Sequence, residues 1–165
     1  MAAGSTLCEF EPNAARQPAT NMGTLDVRNV HLVLDFDTTT VETVYFEAFL
    51  PANYSGLGIT VTLVWMATSA TTGGVVWSVS WERMDAGTAL GTDSFATEKT
   101  VTATKVGAGS DNSVYSTIDF ANGSEIDSVS VGEKFRLRVR RNCTTVGDDM
   151  AGDAELLGVL LTETV

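Results

Sequence analysis

The chain has 165 residues, long enough for one domain with a two-layer core. Lysine and arginine total 10 against 21 acidic residues, and the resulting formal charge of −11 repels phosphate backbones and anionic lipid, so neither nucleic acid nor a membrane surface is an expected partner. No run approaches the ~18 apolar residues of a membrane-spanning helix, and a single histidine, His31, with two distant cysteines, Cys8 and Cys143, leaves little material for a zinc site or a Cys–His nucleophile.

Residues 1–28 contain Pro12 and Pro18 and show neither helical nor strand periodicity, so they read as an N-terminal arm preceding a β-sandwich domain at 29–165. The start, MAAGSTLCEFEPNAARQP, has no basic leader or apolar stretch of the kind a secretory signal uses, and a soluble protein made in the cytosol is the expectation. From His31 onward eight segments alternate apolar and polar residues: His31–Phe36, Thr43–Leu50, Gly58–Met66, Val75–Arg83, Phe95–Lys105, Val114–Phe120, Lys134–Arg141 and Ala154–Thr164. Turn-rich pieces such as DTTT, PANYSG, TSATTGG, GAGSDN and NCTTVGDDMAGD separate them. The fold class is therefore all-β, a two-sheet antiparallel jelly roll of about eight strands with an N-terminal arm. Its usual order places segments one, eight, three and six in one sheet and two, seven, four and five in the other; an immunoglobulin-like sandwich is the alternative.

Period two assigns side chains to faces. Ile59, Val61, Leu63 and Trp65 form one inner wall, and Val75, Trp77, Val79 and Trp81 another, so all three tryptophans belong to the core. Arg136, Arg138 and Arg140 share an outer face, where the proposed order sets them between outward Glu47 and Glu82; a compensated charge ladder is favoured there over an anion site. The final segment is apolar on both faces, with Leu156 and Leu160 on one and Leu157, Val159 and Leu161 on the other. Val33, Val64, Met66 and Tyr115 are its outward neighbours in the same sheet, so an apolar patch is expected there, covered by the arm or buried between subunits.

Catalytic material is thin. Asp35 and Asp37 share a strand face and Asp148, Asp149 and Asp153 precede the last segment, all read as solvated carboxylates; the GDDMAGD run lacks the spacing of a calcium loop. No GxSxG elbow is present, and His31 reads as structural rather than as a base. No enzyme, cofactor or metal is expected. Tyr45, Phe49 and Tyr54 are the aromatics left outside the core, suited to a subunit contact or to stacking on sugar.

The blocks FDTTTVETVYFEAFLPANY, ITVTLVWMATSATTGGVVWSVSWERM, FANGSEIDSVSVGEKFRLRVRR and GDAELLGVLLTE resemble small β-sandwich structural proteins of tailed bacteriophages, over about Asp35 to Val165. The resemblance implies a non-enzymatic virion protein that decorates and stabilises the shell or forms a head fibre. Its implied partners are copies of itself in a homotrimer and the major capsid protein or another virion protein. On this reading Leu156, Leu157, Val159, Leu160, Leu161, Val64 and Met66 form the oligomer interface, and Leu7, Phe10, Met22 and Leu25 anchor the arm to the capsid. A glycan- or receptor-binding module of a tail fibre or baseplate is the alternative.

Overall fold

A computed structural model describes residues 4–92 and 94–164. Ten strands form: β1 (Thr6–Phe10), β2 (Thr24–Arg28), β3 (His31–Phe36), β4 (Glu42–Phe49), β5 (Ile59–Ala67), β6 (Gly74–Met84), β7 (Lys99–Thr104), β8 (Val114–Phe120), β9 (Lys134–Arg141) and β10 (Ala154–Glu163). One sheet runs β2-β3-β10-β5-β8 with β1 also on β10, the other β4-β9-β6-β7, and every strand pairing is antiparallel. The eight segments read from the sequence thus occupy the jelly-roll order expected of them. The inner faces meet in one core, in which Trp65, Trp77 and Trp81 are fully buried, Trp65 and Trp77 lie edge to face and Trp81 stacks obliquely on Phe135.

The N-terminal segment differs from expectation. Residues expected to be irregular supply β1 and β2: β1 pairs with the C-terminal half of β10, and β2 forms a hairpin with β3. Leu7 and Phe10, expected as anchors of a mobile arm, are buried in the sandwich core, where the Phe10 ring stacks on Phe46. Met22 makes an isolated bridge to Thr43, and Leu25 stays exposed on β2. Strands of five residues carry too little alternation to be told from loop, which is why the pattern concealed them.

The faces of β10 also differ. Leu156 pairs with Trp65 and Gly158 with Val64, so Leu157 is an extra residue and the strand changes phase at a bulge. Leu156, Val159 and Leu161 therefore all point into the core, whereas Leu157 and Leu160 point outward and are half-buried. A side chain at Gly158 would meet the Phe10 carbonyl at 3.3 Å, so glycine permits β1 to close on the bulged strand. The fifth segment is shorter than expected, since Phe95 leaves the strand to lie over the outer face of the four-stranded sheet.

Arg141 breaks the outward run of arginines and is fully buried. Its guanidinium holds Asp148 in a forked ion pair at 2.7–3.3 Å and donates to the carbonyls of Phe36, Gly152 and Met150 at 2.9–3.2 Å. Asp148 and Asp149, expected to be solvated, are thus committed to structure: Asp148 also accepts from Val76 N at 2.9 Å and Asp149 from Gly74 N at 2.6 Å. Arg141→Ala should destabilise the fold by about 3–5 kcal/mol in chemical denaturation, because it strands the buried Asp148 carboxylate. At the tip of the β2–β3 hairpin, Val30 has φ of 73°, a left-handed conformation that a β-branched residue adopts under strain. Val30→Gly should raise stability by about 1 kcal/mol in the same measurement.

Candidate functional site

The outer face of the six-stranded sheet carries two adjacent depressions. β3 stays on β10 only from Leu34 to Phe36, after which β1 replaces it, so the hairpin of β2 and early β3 leaves the sheet as a two-stranded ribbon. Arg28 clamps that ribbon over the sheet, donating to Glu155 Oε1 and to the carbonyl of Thr68, each at 2.6 Å. The result is a cleft of about 470 Å³ lined by Arg28, Asn29, His31, Met66, Ser110 and Asp111. Lys105 shapes its far wall, its buried ammonium donating to the carbonyls of Val106, Gly109 and Asn112 at 2.6–3.0 Å.

The second depression, about 260 Å³, lies beside it and is lined by Phe10, Val64, Tyr115, Leu157 and Leu160 with Glu9 and Glu11 at its border. Val64 and Met66, one in each depression, are two residues apart on β5, about 7 Å. Tyr115, opposite Val64 on β8, is 70% exposed, and its ring stands open to solvent beside an apolar floor. Of the residues expected to form a subunit interface, Val64, Leu157 and Leu160 line this groove, Met66 is nearly buried in the floor of the cleft, and Leu156, Val159 and Leu161 are interior.

Behind the cleft, Asp35 and Glu155 face each other across the β3–β10 pairing. Asp35 Oδ1 and Glu155 Oε2 are buried without a hydrogen-bond partner. Burial, reinforced by the carboxylates of Asp153, Glu155, Asp26 and Glu42, pushes Asp35 up to about 6. Asp37, read as its companion, instead caps the backbone NH groups of Thr39 and Thr40 at 2.5 and 2.7 Å. Among the described residues no three metal-ligating side chains converge.

The opposite sheet offers less. Arg136 pairs with Glu82 at 2.6 Å, and Arg138 and Arg140 reach Glu98 at 3.5 and 3.0 Å, while Glu47 is held by Lys134 at 2.7 Å. This is the compensated ladder expected, with Glu98 as a partner that the sequence did not reveal. Phe95 covers it, its ring 5.9 Å from Tyr45 and 4.4 Å from the Arg138 guanidinium, so Tyr45 is unavailable as a stacking platform. Tyr54 is buried and hydrogen-bonds Asn122; Phe49 remains exposed at the end of β4.

No family model and no curated protein matches this chain. Among solved structures, it is similar to a xylan-binding module, CBM15, at TM-score 0.49 and 8% identity, covering 95% of this chain and 97% of that one. It is similar also to TmCBM61 in complex with β-1,4-galactotriose, at TM-score 0.40 and 13% identity, covering 98% and 90%. A third is the cleaved adhesin domain of Lys-gingipain from Porphyromonas gingivalis, at TM-score 0.43 and 13% identity, covering 94% and 91%.

The raised Asp35 carboxyl makes stability depend on pH. The folded state keeps that proton up to about pH 6 and the unfolded chain releases it near 4, so the contribution is fully present below about pH 4 and is lost as pH rises through 6. Asp35→Asn should therefore raise the Tm relative to wild type above pH 6, with the gain shrinking to nothing below about pH 4 in thermal scans across that range.

Proposed function

We propose that this chain is a non-catalytic binding module that holds a neutral glycan on the outer face of its six-stranded sheet. The observation that carries the reading is Tyr115: an aromatic ring 70% exposed on a rigid strand, beside an apolar floor and next to a polar cleft. A sugar presents an apolar CH face and a ring of hydroxyls. The first suits the Tyr115 ring with Val64, Leu157 and Leu160; the second suits Glu9 and Glu11 at the border of the groove and Asn29, Ser110 and Asp111 in the neighbouring cleft. The formal charge of −11 disfavours polyanionic glycans, and Arg28, the cation of the cleft, is already paired with Glu155.

On the virion reading implied by the resemblance, such a module belongs on a tail fibre or baseplate, where it would meet host surface glycans, rather than on the shell. The tethering arm that shell decoration calls for has two of its anchors, Leu7 and Phe10, inside the core.

Affinity electrophoresis through a panel of neutral polysaccharides, followed by calorimetry with the matching oligosaccharides, tests the proposal. Wild type should be retarded by at least one of them, Tyr115→Ala should weaken that binding tenfold or more while keeping the unfolding transition, and Phe49→Ala should leave it unchanged. A wild type that no neutral glycan retards, or a Tyr115→Ala variant that binds as well, would overturn it.

A further inference from the structure

The β2–β3 hairpin has features that glycan binding does not use. On the ribbon face away from the cleft, Leu25, Val27 and Leu32 are 46, 59 and 39% exposed, and Val30 at the tip is 92% exposed. Four large apolar side chains thus stand together on a two-stranded projection, a concentration uncommon on a subunit that works alone. The turn itself, Asn29–Val30, has positive φ at both positions, the two-residue hairpin geometry whose second position is ordinarily glycine. Valine there carries strain while presenting its side chain to solvent, and retained strain of this kind points to use.

β2 is also an edge. It ends its sheet, with β3 on one side and, among the described residues, no strand on the other. In a two-residue hairpin the residues flanking the turn, Arg28 and His31, exchange hydrogen bonds, so Val27 turns its NH and carbonyl to the open side. There the Val27 NH is met only by the neighbouring Asp26 side chain at 2.7 Å.

We propose that two copies of this chain associate through this hairpin, β2 against β2 in antiparallel pairing with Val27 opposite Val27. That register presents the outward backbone groups of the two Val27 residues to each other. It sets Asp26 of each copy opposite Arg28 of the other, a charge match made twice by the two-fold axis. The bonds of Arg28 to Glu155 and Thr68 use its two terminal nitrogens, so the pairing with Asp26 of the second copy falls to its Nε–H. On the opposite ribbon face, Leu25, Val27 and Leu32 of both copies close an apolar seam, and each Val30 comes beside Thr24 and Leu25 of the second copy. Any other register loses the match: a slip of one residue sets Asp26 against Val27 and Arg28 against Leu25, and a slip of two sets Asp26 against Asp26. The strand's own Asp26 contact blunts the edge in the separate subunit and yields to the Val27 carbonyl of the second copy. The seam lies on the ribbon face away from the cleft, so the association does not depend on the glycan reading.

Sedimentation equilibrium of the full chain without glycan tests this. Wild type should fit a monomer–dimer equilibrium, and Asp26→Arg, which faces Arg28 with a like charge, and Val27→Asp should each weaken it at least tenfold with the thermal transition retained. In a Cys8→Ser, Cys143→Ser background, Val27→Cys should oxidise to a covalent dimer, because paired residues in this register bring their Cα atoms within disulfide reach; Thr102→Cys on the β7 edge should not. A wild type monomeric at every concentration would overturn the proposal. So would an oligomer indifferent to Asp26→Arg and Val27→Asp, or one abolished instead by Leu160→Asp on the β5–β10 groove.

Discussion

The buried pairing of Arg141 with Asp148 is the constraint on which the rest of this sandwich depends. Burying a guanidinium is costly, and the cost is offset here because carboxylate and carbonyl acceptors surround it. What it gathers matters more than its energy. The segment after Phe36 takes the chain from the six-stranded sheet to β4, and the segment holding Met150 and Gly152 brings it back from β9 to β10. These two of the six crossings between the sheets are fastened to one side chain, which holds β3 next to β10. From that adjacency follow the facing carboxylates of Asp35 and Glu155, the hold of Glu155 on Arg28, and hence the position of the hairpin that walls the cleft.

The two outer faces solve the same problem in different ways. On the four-stranded sheet, small Ser78 and Ser80 leave room over β6, and arginines, glutamates and Phe95 fill it until both serines are wholly covered. That face is saturated with internal partners. On the six-stranded sheet the outward residues Val64 on β5 and Leu157 and Leu160 on β10 are apolar, and the surface stays open around Tyr115. Availability, rather than the number of charged or aromatic residues, separates the candidate site from the conspicuous arginine strip.

The strand order was legible because period two gave each segment a face and because the arginines of β9 called for acidic neighbours on both sides, which Glu47 on β4 and Glu82 on β6 provide. The tryptophans were legible for the same reason. Three things were not. Arg141 sits one residue beyond an alternating run and differs from Arg140 only in the direction it points. The bulge at Leu157–Gly158 shifts the phase within β10, and an in-strand glycine was its one sequence mark. The cleft joins a hairpin tip to the loop before β8, and no local pattern records a meeting of distant turns. Tyr115 was placed correctly as an outward residue, yet only the geometry around it shows that it stands uncovered.

The division of β10 between β1 and β3 bears on how the molecule comes into being. Its hydrogen-bonding partners are residues 6–10, 34–36 and 59–67, so the strand near the C-terminus zips together three that precede it by most of the sequence. Until β10 arrives, β5 has only β8 beside it, and β1 has no strand to join. Such long-range closure is slow, and it leaves unpaired edges exposed while the chain waits. The step that completes the six-stranded sheet is therefore also the step that builds the groove, because β10 alone brings Leu157, Gly158, Val159 and Leu160 to its lining.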